Sequence, residues 1–122
     1  MPRFVVLRHE TPPGYPRGPH YDLMFEQGEV LWTWALEALP QLGGPAIAAE
    51  RLADHRLAYL DYEGEISGDR GRVVRVDHGL YSPLPAERDE LCFGLEGSVL
   101  RGVFVLVPSG KGEPWQVRLQ SP

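Results

Sequence analysis

His20-Tyr-Asp-Leu-Met-Phe-Glu26, followed by Gln27-Gly28 and then Glu29-Val-Leu-Trp-Thr-Trp34, is the stretch on which the fold turns. The first run alternates. On an extended strand Tyr21, Leu23 and Phe25 share one face, and His20, Asp22, Met24 and Glu26 share the other. Gln27-Gly28 between two such runs is turn chemistry, so the whole stretch reads as an antiparallel hairpin. Its polar face carries an imidazole and a carboxylate two residues apart and therefore side by side.

Outward from the hairpin, strand signals dominate. Phe4 to Leu7 is a short β-favouring run that ends in polar Arg8-His9-Glu10. Thr11 to Pro19 holds four prolines and two glycines and reads as a loop. Ala46 to Ala53 fits either a short helix or an edge strand. Leu57 to Tyr62 reads as a strand and Gly64 to Gly71 as a glycine-rich turn. Val73 to Val76 and Gly79 to Tyr81 read as a strand pair around Asp77-His78. Leu91 to Leu95, Val103 to Val107 and Trp115 to Leu119 complete the set. Many short strands punctuated by turns predict a mostly β fold, an antiparallel sandwich or small barrel. With no repeat and no linker, residues 1–122 read as one domain.

Composition narrows the function. The chain of 122 residues is 43% hydrophobic and 24% charged, which suits a globular domain. Its longest apolar runs are too short to span a bilayer, and no signal-like segment opens it, so no membrane partner is expected. Cys92 is the single cysteine and cannot form an internal disulfide; a reducing cytoplasm is the expected location. Seventeen acids against twelve bases, a net charge of −5, disfavour broad, non-specific nucleic-acid binding. They leave room for a small site acting on one phosphate.

Two places carry candidate chemistry. His20 and Asp22 form a ligand pair for a divalent cation, and His9 at the end of the first strand is the natural third ligand. In Asp54-His-Arg-Leu-Ala-Tyr59, an extended backbone sets His55 and Tyr59 on one face. There they can donate hydrogen bonds to an anion or pass a proton to a leaving oxygen. Spacing alone leaves both readings open to an ordinary His-Asp pair and a packed tyrosine. His78 beside Asp77 reads as turn chemistry.

The order of these elements resembles the 3′-phosphoesterase domain of bacterial DNA ligase D. Phe4-Val-Val-Leu-Arg-His9, the hairpin from His20 to Ala35, Asp54-His-Arg-Leu-Ala-Tyr-Leu-Asp-Tyr-Glu-Gly64, Val74-Arg-Val-Asp-His-Gly-Leu-Tyr81 and the closing Trp115 carry the resemblance. It implies a compact antiparallel β-barrel and a manganese-type activity, with zinc as the alternative metal. That activity trims nucleic-acid 3′ ends during non-homologous end joining, alongside a DNA ligase or other end-joining proteins. The resemblance carries metal-ligand roles to His9, His20 and Asp22, and scissile-phosphate contacts to His55 and Tyr59. It also marks departures. Met24 stands where the family has a phosphate-binding arginine, Leu7 where it has a glutamine, and Ala53 where it has a glutamate. Arg8, Arg51 and Arg70 are the candidate replacements for the missing cation, and a weakened activity is expected. Two other classes fit the same residues: a non-catalytic accessory that binds a metal or a nucleic-acid end, and a non-haem iron oxygenase using the His-x-Asp and distant His pattern.

Overall fold

A computed structural model describes residues 2–122. Nine strands run in chain order: β1 (Arg3–Glu10), β2 (His20–Gln27), β3 (Val30–Leu36), β4 (Ile47–Arg56), β5 (Gly64–Glu65), β6 (Arg72–Leu84), β7 (Leu91–Glu96), β8 (Arg101–Val107) and β9 (Trp115–Gln120). Eight of them follow one another antiparallel in the order β1-β2-β3-β4-β9-β8-β7-β6, and β6 returns to pair with β1. The sheet is therefore a closed barrel, with two-residue β5 hydrogen-bonded to β6 outside the ring. Among the described residues, no helix is long and apolar enough to cross a membrane.

The hairpin forms as the alternation predicts. Gln27 pairs with Val30 across the two-residue turn Gly28-Glu29, and Gly28 takes φ 62°, a conformation that glycine adopts without steric cost. Leu23 and Phe25 point into the barrel. Phe25 sits among Phe93, Tyr81 and Trp34, at centroid distances of 4.5, 5.1 and 6.0 Å. All four rings are buried. This interior cluster continues through Phe4, Leu36, Phe104, Leu106 and Val117. The opposite face of β1, β2 and β3 carries a second cluster, Val5, Leu7, Met24, Leu31, Leu60 and Val73. Cross-strand pairs Val5↔Met24, Leu7↔Asp22 and His9↔His20 run along this outer face, from apolar to polar.

Three expectations are corrected and one alternative is decided. Of Ala46 to Ala53, all but Ala46 belongs to strand β4. Leu57 to Leu60 is a 3-10 turn rather than a strand; at three residues per turn Leu57 and Leu60 face the same way and pack into the outer cluster. Asp77-His78 is the middle of thirteen-residue β6, not a turn. The Asp77 carboxylate is buried because it accepts hydrogen bonds from the backbone N–H groups of Ser98, Val99 and Leu100, at 2.8, 3.1 and 2.7 Å. It organises the β7–β8 connection, a role that leaves His78 without the turn chemistry expected of it. The stretch expected as a turn from Gly64 to Gly71 begins with the β5 pairing.

Candidate metal centre

His9, His20 and Asp22 meet on the outer face where β1 and β2 run side by side. All three are buried, at 7%, 3% and 3% exposure. One donor atom from each lies within 4.8 Å of the other two. The register accounts for this convergence. His9 and His20 are direct cross-strand partners, and Asp22 is one step along the same face of β2.

Backbone carbonyls fix how each ring is turned. His9 Nε2–H donates to the Arg70 carbonyl at 2.6 Å, which leaves Nδ1 facing Asp22 Oδ2 at 3.6 Å. His20 Nδ1–H donates to the Gly18 carbonyl at 2.8 Å, which leaves Nε2 3.0 Å from Asp22 Oδ1. These tautomers are assigned from the carbonyl partners. A ring nitrogen held by a carbonyl while the other faces the ligand position is the usual outer support of a metal-binding histidine. Asp22 Oδ1 is buried with no hydrogen-bond partner. In this arrangement a buried carboxylate oxygen confronts an imidazole lone pair, and a cation between them removes the conflict. The donor set therefore fits a divalent metal, with three protein ligands and positions left for water or substrate.

The charges respond to this crowding. Burial works to raise the Asp22 carboxyl, but the imidazoles of His20 and His9 beside it outweigh burial and hold the group below its ordinary value. The neighbouring Asp22 carboxylate holds His9 above its usual range, against the opposing effect of burial.

The carbonyl that orients His9 comes from the turn between β5 and β6. Ile66 N–H bonds the Gly71 carbonyl at 2.8 Å and closes that turn. Gly71 has φ 88°, and a Cβ there would run into the Glu10 carbonyl oxygen of β1. Only glycine lets the turn approach β1 closely enough to bring Arg70 to His9.

Two clefts open at the centre. One, of about 280 Å³, is bordered by His9, Asp22, His55, Tyr59 and Arg70. The other, of about 680 Å³, adds His20, Arg17, Glu37 and Glu50. The structure thus gathers five expected residues, His9, His20, Asp22, His55 and Tyr59, around two adjoining clefts that share His9, Asp22 and His55. A β-bulge brings His55 there: Leu31 pairs with His55 and Thr33 with Leu52, so β4 carries one extra residue and His55 takes the outer face. His55 Nδ1–H donates to the Ala53 carbonyl at 2.9 Å, and its Nε2 is left free. Tyr59 reaches it from the 3-10 turn, with ring centroids 5.8 Å apart.

The three arginine candidates divide. Arg70 borders both clefts, its guanidinium steadied by the Ser67 carbonyl at 2.7 Å. Arg8 and Arg51 do not border them and correct the expectation. Arg8 lies over the Tyr21 ring, opposite His9 on its strand, and pairs with Glu10. Arg51 faces the interior with its cross-strand partner Trp34, stacked 4.5 Å from that ring centroid and 5.1 Å from Trp32. Met24 is 1% exposed and packs with Leu7 and Leu31 beneath the smaller cleft, so it contributes to the apolar floor. Sequence reasoning missed Tyr15, whose ring stands edge-on to His9 at 5.8 Å from within the proline-rich loop. It also missed Arg17, which ties that loop to Glu50 of β4.

A closed antiparallel barrel with a buried His-His-Asp centre on its outer face defines a class of metal-competent β proteins. A model of the DNA ligase D 3′-phosphoesterase domain matches residues 9–108, and the chain belongs to that family. It is 34% identical over 126 residues to the multifunctional non-homologous end joining protein LigD of Pseudomonas aeruginosa, a match covering 93% of this chain and 14% of that protein. It is 32% identical over 120 residues to the multifunctional non-homologous end joining DNA repair protein LigD of Mycobacterium tuberculosis, covering 92% and 15%. The chain spans about a seventh of the length of these relatives.

Proposed function

We propose that this protein is a divalent-metal-dependent phosphoesterase that trims 3′ ends of nucleic acid for end-joining repair in the cytoplasm, acting alongside a DNA ligase. The observation that carries the reading is the buried Asp22 carboxylate, one oxygen unpartnered, between two carbonyl-oriented imidazoles and bordering a cleft shared with His55 and Tyr59. Manganese is the expected metal; zinc also suits two nitrogens and one carboxylate oxygen. Bound there, the metal supplies Lewis-acid polarisation of a phosphoryl oxygen.

The chain's own groups do the rest. His9, His20 and Asp22 would hold the metal at the cleft floor. Tyr59 donates its hydroxyl hydrogen to a phosphoryl oxygen. His55 holds a proton at Nε2 for the departing 3′ oxygen, and its Nδ1–H bond to the Ala53 carbonyl fixes the ring for that transfer. Water adds to phosphorus, the P–O3′ bond breaks, the His55 proton passes to the 3′ oxygen and the proton lost by the water restores His55, so the products are inorganic phosphate and a 3′ hydroxyl. Arg70 borders both clefts and supplies a cation to them.

The test is phosphate release from a 3′-phosphate oligonucleotide, scanned over Mn²⁺, Zn²⁺, Mg²⁺ and Fe²⁺. Release with Mn²⁺ that disappears in His55→Ala and Asp22→Ala supports the reading. A second reading, a non-catalytic end-binding accessory, is favoured by apolar Met24 on the cleft floor, whose side chain offers a phosphate no charge. Tight 3′-end binding without release under any metal would select it.

A further inference from the structure

A third cleft, of about 250 Å³, adjoins the metal centre beyond Tyr59. It shares Arg56, Tyr59 and Arg70 with the smaller of the metal-centre clefts and adds Tyr62, Ser67 and Glu65. His55, Tyr59 and Tyr62 form a continuous edge-on series, with centroid spacings of 5.8 and 6.0 Å. The Tyr62 ring is 40% exposed and is fixed in place by its hydroxyl, which donates to the Glu65 carbonyl. Neither Arg56 nor Arg70 forms an ion pair among the described residues. The opposite end of the site is different: there Arg17 is neutralised by Glu50, and Glu37 adds a further carboxylate.

Resting on the phosphoesterase reading, we infer that this third cleft holds the penultimate nucleotide, the one joined on the 5′ side to the nucleoside that bears the reacting phosphate, with Tyr62 as the stacking face and Arg56 as the backbone cation. Exposed aromatic rings next to guanidiniums without carboxylate partners are the combination that single-stranded nucleic acid uses: bases stack, and phosphates take the cations. The wide cleft sets three carboxylates, Asp22, Glu37 and Glu50, against two guanidiniums, whereas the third cleft sets Glu65 alone against two, so the chain enters from the Arg56 and Tyr62 side. The wide cleft then faces whatever departs from the 3′ terminus. Arg70 borders all three clefts and stands at the junction between the entering strand and the metal centre.

The experiment compares binding of a 3′-phosphate trinucleotide with that of a mononucleoside 3′-phosphate, by calorimetry on the full chain with Mn²⁺ present. The trinucleotide should bind about tenfold tighter, because stacking one base is worth roughly fivefold to a hundredfold in affinity. Tyr62→Leu should erase most of that preference and leave the mononucleoside's affinity and the Mn²⁺ affinity unchanged. Tyr62→Phe, which keeps the ring and loses the hydroxyl tie, should preserve it. Arg56→Gln should reduce it and flatten its dependence on salt. Equal affinities for the two ligands in the parent protein overturn the assignment, as does a length preference that survives Tyr62→Leu. If Tyr62→Phe is as damaging as Tyr62→Leu, the tyrosine is a scaffold and the assignment also fails. Length-dependent binding without phosphate release from any 3′ end would overturn the phosphoesterase reading and support this cleft assignment.

Discussion

His9 and His20 stand directly opposite each other on β1 and β2, their rings 4.9 Å apart and inclined at 62°, each turned by a different backbone carbonyl toward the same carboxylate. One expectation follows at once. The protein should bind one divalent cation per chain, and His20→Ala or Asp22→Ala should weaken binding by at least about a hundredfold, since each removes a ligand from a three-ligand set. Calorimetric titration with Mn²⁺ and Zn²⁺ measures this. Parent-like affinity in either variant would place the cation elsewhere.

Metal affinity should also depend on pH. In the metal-free protein Asp22 raises His9 above its ordinary value of about 6.5. The protonated pair stabilises the fold fully below about that pH, and the contribution is lost as pH rises through the raised folded value. Asp22 lies below 3.8, so its contribution is present above that pH and is lost as pH falls through the lowered folded value. A metal must displace the His9 proton. The gain in Tm on adding Mn²⁺ should therefore shrink as pH is lowered from 8 to 5. A gain constant across this range would mean that no histidine is a ligand.

Gly71→Ala tests the support of His9 without touching a ligand. The new Cβ meets the Glu10 carbonyl in a left-handed backbone, which costs about 1–3 kcal/mol of stability. Because the turn then retreats from β1, the Arg70 carbonyl should release the ring, with a loss of about 10- to 100-fold in metal affinity. A variant that is less stable but binds metal like the parent would show that the ring is oriented by something other than this carbonyl.

Tyr81 offers a test of the barrel interior. Its hydroxyl donates to the Glu26 carbonyl at 2.6 Å and accepts from Gln27 Nε2 at 2.9 Å, and burial pushes its pKa up to about 12. Between its ordinary value near 10 and about 12, the unfolded chain loses this proton while the folded one keeps it, so stability should fall as pH rises through that window. Tyr81→Phe should remove this part of the alkaline slope and cost about 1–2 kcal/mol at neutral pH, where Glu26 loses a donor and Gln27 an acceptor. Chemical denaturation from pH 7 to 11.5 reads both effects.

Much of the ligand set was legible because strand alternation is a local property: His20 and Asp22 declare a shared face within three residues. The approach of His55 to Tyr59 was anticipated for the wrong reason. Extended backbone was expected across both, whereas a bulge at Leu52–His55 and a 3-10 turn achieve the contact. Bulges depend on what the partner strand offers, which spacing does not record. Asp77 misled because a buried carboxylate serving distant N–H groups has the same local signature as a turn aspartate. Arg8 and Arg51 looked available because charge alone does not tell which face of a strand a residue occupies beside aromatic neighbours. Tyr15 and Arg17 lay in a proline-rich loop whose course no periodicity describes.

Barrel closure has a consequence for the order in which the centre assembles. His9, His20 and Asp22 all belong to one hairpin, whereas the carbonyl that orients His9 arrives from a residue 61 positions away, when β6 zips onto β1. Contacts between such distant segments form late and slowly, on the order of milliseconds to seconds in β proteins of this kind. The nascent hairpin can therefore present its donors to a cation before the ring of strands is sealed, and sealing then stiffens a site that already exists. Metal present during refolding should speed the early phase and leave the closing step limited by chain topology.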